Sequence, residues 1–241
     1  AAPPPPQPTG SRLTYSRGSV AAWCALFAGA AVWFWLSRTL FFVGVSEWDD
    51  ALYVDRAAMP TAMWEIRNRY VHVWSLRSFQ ALFESRQTAA SVYATSSVLG
   101  IAGIAYLFTR RVAGTGAALL AAALIPVYPA FTRHLTAPMV DPPMVLWSMA
   151  GLFCAVSSVE AKSARRQLLF AAASGFFAYL AVKTKETGLA VLPAIAVTLL
   201  ADARPFRERL AVWIGGAALA GVVLAALDRA FLPGDMAWRP G

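Results

Sequence analysis

Long apolar runs are the feature that most constrains the fold of this 241-residue chain. A transmembrane helix needs about 20 consecutive, mostly apolar residues to cross the hydrocarbon core of a bilayer. Runs close to that length recur along most of the chain, and only 14% of the residues are charged, too few for the surface of a soluble domain of this size. The sequence therefore predicts an all-α protein, a polytopic bundle of membrane helices.

We predict about seven transmembrane helices, of which the sixth is short for a perpendicular crossing. They are expected at 19–36, 89–108, 116–131, 142–159, 167–182, 188–200 and 210–227. A Pro-rich cytoplasmic tail at 1–18 precedes the bundle at 19–231, and an outer C-terminal tail occupies 232–241. An outer loop at 46–88 separates the first two spans. We expect interfacial helices in it, because 64–83 alternates arginine with aromatic residues.

Basic residues in the short loops predict the orientation of the bundle. The N-terminal tail and the loops after spans two, four and six carry ten Lys or Arg residues, whereas the short loops on the other side carry only Arg133, Lys183 and Lys185. The N-terminus is therefore expected in the cytoplasm, and the loop at 46–88 on the periplasmic or luminal face. These loops explain the net charge of +8, and no nucleic-acid-binding motif accompanies it.

Ionisable residues collect in the outer loops. Asp49 and Asp50 follow the first span; they could hold a cation, act as a general base, or simply begin a helix, because acids favour its first turn. Charged groups at the membrane boundary are costly to dehydrate, so acids and bases that converge from three loops indicate a site. The other candidates are His72, Arg133, His134, Asp141, Lys183, Lys185 and Glu186.

Several of these candidates also have an ordinary structural interpretation. Asp141 precedes two prolines and could cap the fourth span. Lys185 and Glu186 could pair with each other at a helix turn. The histidines, His72 and His134, could be interfacial hydrogen-bonding residues rather than catalysts or metal ligands. The sequence leaves open whether a divalent metal is needed.

Four stretches resemble motifs of the GT-C glycosyltransferases, a class of multi-span enzymes that includes protein O-mannosyltransferases and aminoarabinose transferases. DDALY at 49–53 resembles the acidic D-E/D-x-x-Y motif of the class, and HVWSL at 72–76 resembles its His-Pro-Pro-Leu-Tyr segment without the prolines. The stretch 131–141 is similar to the second outer loop, which ends in an aspartate. KTKETGLAVLP at 183–193 fits the K-E-T signature and is the most specific of the four.

The resemblance implies inverting transfer of a sugar from a polyprenyl-phosphate carrier to an acceptor on the outer face. A carboxylate must take the acceptor's proton and cations must stabilise the phosphate. The catalytic acids would be Asp49, as general base, with Asp50 and Asp141. The substrate-binding residues would be Lys185, Lys183, Arg133, His134, His72 and Glu186.

The length of the chain allows a second interpretation of its function. Members of this class are usually much longer, with further spans, whereas this chain ends after the seventh predicted span. It is therefore expected to be either a fragment of a longer protein or a shortened relative. The alternative to an enzyme is a non-catalytic accessory subunit that reuses the fold within a larger membrane complex. The expected partners are the lipid bilayer, a polyprenyl-phosphate-linked sugar if the chain is an enzyme, and other proteins if it is a subunit.

Overall fold

The regular structure of the protein is entirely helical in the part that the computed structural model describes, which comprises residues 54, 57, 69–128, 138–200 and 206–231. This confirms the predicted all-α class for these residues. In chain order the elements are α1 (Tyr70–Leu82), α2 (Arg86–Val127), α3 (Asp141–Glu160), α4 (Ala164–Thr184), a 3₁₀ helix (Glu186–Ala190), α5 (Val191–Leu200) and α6 (Phe206–Phe231).

Helix α2 consists of two arms that fold back on each other. A straight helix of its 42 residues would be about 63 Å long, roughly twice the hydrocarbon thickness of a bilayer. Gly114, with φ 80° and ψ −178°, interrupts the helical backbone. Beyond it, Ala118 and Ala122 share one buried cluster with Ala102 and Tyr106. The chain therefore reverses near Gly114, and the predicted second and third spans are the two arms.

Four of the described helices, α2, α3, α4 and α6, are long and apolar enough to cross a membrane. The predicted number of seven spans is not confirmed. The first predicted span, 19–36, lies outside the described residues. The sixth, 188–200, is a 3₁₀ helix followed by the ten residues of α5, which measure only about 15 Å.

The centre of the bundle is the packing of α4 against α3 and α6. Two glycines let α4 and α6 approach closely, because a Cβ on Gly175 would lie 1.9 Å from the Trp213 carbonyl oxygen, and one on Gly216 would lie 1.9 Å from the Ala172 carbonyl oxygen. Small residues permit such backbone contact between membrane helices. Ala178 and Ala155 continue the buried surface between α4 and α3.

One end of α3 is fixed by a basic clamp. The Arg111 guanidinium donates to Glu160 and to Ser157, both at 2.9 Å, and lies over the Phe153 ring, 4.2 Å from its centroid. Asp141 lies at the other end, about 30 Å away along the 20-residue helix, a length that matches a bilayer core. Arg111, close to the reversal in α2, and Asp141 thus lie at opposite ends of α3.

Helix α1 packs against α2 and α4 along its first turns, and its expected place in the headgroup layer stays a prediction. Four successive side chains, Val71 to Trp74, are buried, and four successive positions cover the whole circumference of a helix. Val73 and Trp74 pack with Tyr93 of α2, and Val71 packs with Leu180 of α4. The alternation of arginine and aromatic residues suggested a two-sided helix, but tertiary packing covers both sides of its first turns.

Candidate functional site

An ion pair joins two of the predicted site residues. Lys185 Nζ donates to Asp141 Oδ1 at 2.5 Å, across 44 residues of sequence. The side chains are 24% and 41% exposed, respectively, so the pair is partly shielded but open to a ligand. The structure therefore brings together an acid at the first residue of α3 and a base directly after α4.

Asp141 is the first residue of α3 and is followed by two prolines that favour a helix start. The capping position itself is Val140, and no side chain makes a cap hydrogen bond there. The alternative that Asp141 only caps the helix therefore does not hold. Its carboxylate is directed to Lys185, near a helix N-terminus where negative charge is favoured.

The turn after α4 places Lys185 through a set of backbone contacts. The Lys185 amide donates to the Ala181 carbonyl at 3.1 Å, and the Gly188 amide donates to the Lys185 carbonyl at 2.9 Å. Gly188 lies against the backbone of α4, where a Cβ would come within 2.6 Å of Ala181. The buried Thr184 hydroxyl donates to the Leu180 carbonyl at 2.7 Å. The K-E-T-G residues thus form a tight turn that presents one ammonium group.

His72 of α1 lies beside this pair and is fully buried. Its Nδ1 is 2.9 Å from the Tyr93 hydroxyl oxygen. Burial is the main cause that lowers the pKa of His72 from 6.5 to about 3; the charge of Arg69 lowers it further and that of Asp141 raises it. The imidazole is therefore neutral at physiological pH. It behaves as the predicted hydrogen-bonding residue rather than as an exposed ligand.

The remaining candidates are not part of the pair. The Lys183 ammonium lies 5.9 Å from the centroid of the Tyr179 ring, one turn back on α4. Glu186 is exposed at the start of the 3₁₀ helix, and the alternative in which it pairs with Lys185 is not seen, since Lys185 binds Asp141. Four predicted residues lie outside the described part of the chain: Asp49, Asp50, Arg133 and His134.

An apolar groove of about 590 Å³ runs between α1, α3, α4 and α6. Aromatic and aliphatic side chains form most of its wall, and one basic residue, Arg77, stands over Trp74 at 5.3 Å from the ring centroid. Its volume falls within the usual range for ligand sites. The lining side chains include Trp74, Arg77, Trp147, Phe176, Leu180 and Leu224.

Sequence reasoning missed both this groove and Tyr93. The groove is built from four helices that are distant in sequence, so no local pattern indicates it. Tyr93 had a signal, because a hydroxyl within a membrane span usually has a partner. Among the residues that the structure describes, no group of three or more His, Cys, Asp or Glu side chains could hold a metal ion.

Residues 70–227, more than half of the chain, match the family model described as dolichyl-phosphate-mannose-protein mannosyltransferase. The chain belongs to this family. Membership in the mannosyltransferase family confirms the resemblance that the K-E-T signature indicated. By family, the protein is a membrane glycosyltransferase of the GT-C type. No curated protein and no solved structure matches the chain.

Proposed function

We propose that the chain transfers a sugar from a polyprenyl-phosphate carrier to a hydroxyl acceptor on the outer face of the membrane. The observation that carries the proposal is the Asp141–Lys185 ion pair, which lies at the start of α3 and the end of α4, one to two helical turns from residues of both helices that line the apolar groove. A lipid-linked sugar needs both features, a cation for its phosphate and an apolar surface for its chain. The family description names dolichyl-phosphate mannose, which is therefore the first donor to test.

Lys185 would stabilise the phosphate that leaves. Negative charge develops on the bridging oxygen as its bond to the sugar breaks, and a fixed ammonium in a partly dehydrated site lowers the energy of that charge. Asp141 holds the ammonium in place before the donor binds. A phosphate that enters would share or take over this ammonium, so the ion pair is the resting form of the site.

The groove would hold the first isoprene units of the carrier. Trp147 lies six residues beyond Asp141 on α3, about 9 Å along the axis, and Leu180 lies five residues before Lys185, about 8 Å away. Both line the groove, so its wall begins one to two helical turns from the ion pair. Arg77 adds a second positive charge at the groove wall.

The acceptor would be activated by Asp49, with Asp50 positioning the acceptor. In one displacement the acceptor oxygen attacks the anomeric carbon, the bond from carbon to phosphate oxygen breaks, its electron pair stays on the phosphate, and the acceptor proton passes to the Asp49 carboxylate. Val54 and Ala57, which follow the acidic motif closely in sequence, pack into the cluster of α1 and α2. These contacts anchor the chain just after the motif, and the roles of Asp49 and Asp50 stay predictions.

Binding of polyprenyl phosphate to the protein in nanodiscs tests the proposal without an acceptor. Trp74 and Trp147 line the groove, so tryptophan fluorescence should report the lipid. We expect Lys185→Ala to weaken binding by roughly tenfold or more, as expected for loss of a charged contact, and Lys162→Ala, at the opposite end of α3, to leave it unchanged. Equal affinity in both variants would refute the donor site. Failure of the wild type to bind, with a stoichiometric partner protein in native membranes, would favour the accessory-subunit alternative.

A further inference from the structure

Three exposed basic side chains lie at the end of α3 and α4 that is opposite the Asp141–Lys185 pair. Lys162 lies in the loop between the two helices, and Arg165 and Arg166 lie in the first turn of α4. None of the three makes an ion pair with another residue in the part of the chain that the structure describes. The proposed transferase function uses none of these charges.

The carboxylate nearest to these cations along the chain is already bound. Glu160, the last residue of α3, accepts a hydrogen bond from the Arg111 guanidinium at 2.9 Å. Two further hydrogen bonds hold the loop in place, since the Ser158 hydroxyl donates to the Gln167 carbonyl at 2.8 Å and the Gln167 side-chain amide donates to the Ala161 carbonyl. Arg111 therefore offsets the charge of Glu160, and the three cations belong to a fixed, positively charged surface.

Exposed leucines follow these charges on the surface of α4. Leu168 and Leu169 are 43% and 60% exposed, respectively. Residues three and four apart are neighbours on a helix face, so Leu169 lies one turn from both Arg165 and Arg166. The 21 residues of α4 are long enough to cross the hydrocarbon core of a bilayer, which places its first turn at the level of the headgroups. Charge followed one turn deeper by exposed apolar side chains matches a phospholipid, whose phosphate lies above its acyl chains.

We propose that an anionic phospholipid binds to the lipid surface formed by Lys162, Arg165, Arg166, Leu168 and Leu169. The three cations contact the headgroup phosphate, and the two leucines contact the acyl chains. A soluble anion or a nucleic acid gains nothing from exposed leucines beside the charges, so the pattern favours a lipid. The lipid surface lies at the other end of α3 from the proposed donor site, about 30 Å away, and it does not rest on the proposed function.

Native mass spectrometry of the full chain in detergent tests the proposal. Phosphatidylglycerol and phosphatidylcholine with identical acyl chains are titrated, so the ratio of their dissociation constants reports the preference for an anionic headgroup. Arg165→Gln/Arg166→Gln removes two charges from the lipid surface. The matched control is Arg86→Gln/Lys183→Gln, which removes two charges from the first residue of α2 and the last turn of α4. Leu169→Ser tests the contact with the acyl chains.

We expect the wild type to bind phosphatidylglycerol more tightly than phosphatidylcholine. Arg165→Gln/Arg166→Gln should reduce this preference by about fivefold for each charge removed, the usual contribution of a basic residue near anionic lipid, and the control should leave it unchanged. Leu169→Ser should weaken the binding of both lipids and keep their ratio. Equal affinities of the wild type for the two lipids, an equal reduction in the two double variants, or unchanged binding in Leu169→Ser would overturn the proposal. Displacement of phosphatidylglycerol by an equal concentration of glycerol phosphate, which has no acyl chains, would also overturn it.

Discussion

Lys185 and Asp141 are joined by a 2.5 Å hydrogen bond between Nζ and Oδ1, although 44 residues separate them in sequence. The bond connects the end of α4 to the start of α3 on the face opposite the Arg111–Glu160 clamp. Both side chains keep part of their surface exposed. Because both side chains are partly exposed, the ion pair is expected to contribute little to the stability of the fold.

The first prediction concerns stability. Asp141→Asn should lower the free energy of unfolding by less than about 1 kcal/mol, because partly exposed ion pairs contribute little. Thermal unfolding in detergent measures this, with Glu160→Gln in the other ion pair as the comparison. A loss of several kcal/mol in Asp141→Asn would mean that the pair is a structural element, and the proposal for the donor site would lose its basis.

The pH dependence of stability should follow His72. Its pKa is lowered to about 3 in the folded protein, whereas the unfolded chain has the usual value of 6.5. As the pH falls, the unfolded state therefore binds a proton before the folded state does. The free energy of unfolding has its full value above pH 6.5 and decreases below that pH, by up to about 1.4 kcal/mol per pH unit.

Thermal unfolding between pH 7 and pH 5 measures this loss of stability. Most carboxylates do not interfere, because they titrate below that pH range. His72→Gln should remove most of the decrease, while His134→Gln, which changes the other histidine of the chain, should keep it. A decrease that is the same in all three proteins would show that other groups cause it.

The crossing of α4 and α6 should depend on two glycines. Gly175→Ala and Gly216→Ala each place a methyl group 1.9 Å from a backbone carbonyl oxygen, so one helix must move. We expect each to lower the free energy of unfolding by about 3 kcal/mol, the upper end of the usual cost of overpacking. Gly215→Ala is the matched control, because nothing lies within 4 Å of its Cβ. Equal stabilities of the Gly215 and Gly216 variants would contradict this crossing.

The reversal in α2 should depend on the backbone of Gly114 rather than on space. No atom lies within 4 Å of a Cβ at Gly114 or at Gly116, but only Gly114 has a positive φ, 80°. Gly114→Ala should therefore cost about 1–3 kcal/mol of strain. Gly116→Ala should stabilise α2 by about 0.5–1 kcal/mol, as alanine does in a helix. Chemical or thermal unfolding of both variants measures the change in the free energy of unfolding, which should be negative for Gly114→Ala and positive for Gly116→Ala. A change of the same sign in both variants would rule out the tight turn.

Local patterns predicted much of the fold. Apolar runs located α3, α4 and α6 to within a few residues, because a buried span must be apolar along its whole length. The short sixth run is a 3₁₀ helix followed by the ten residues of α5, and it is not confirmed as a span. Local hydrophobicity gives no information on how α1 is covered by α2 and α4, because that covering depends on tertiary packing.

The candidate site was predicted in part. The K-E-T spacing indicated Lys185, and the aspartate before two prolines indicated Asp141. The choice between Asp141 and Glu186 as the partner of Lys185 depends on how α3 packs against α4, which no sequence spacing specifies. Tyr93 and the groove were missed for the same reason, since both are defined by contacts between distant helices. The contribution of Asp49 and Asp50 stays a prediction.

Release of polyprenyl phosphate from a polyprenyl-phosphate-linked mannose tests the central claim most directly. The variants to compare are Lys185→Ala and the exchanged pair Asp141→Lys/Lys185→Asp, which keeps the charge balance but moves the ammonium from the turn after α4 to the start of α3. If Lys185 stabilises the leaving phosphate, both variants should release it at least about 100-fold more slowly than the wild type, the typical effect of losing one fixed donor to the developing charge, while thermal unfolding shows that they stay folded. Release at the wild-type rate by either variant would contradict the claim.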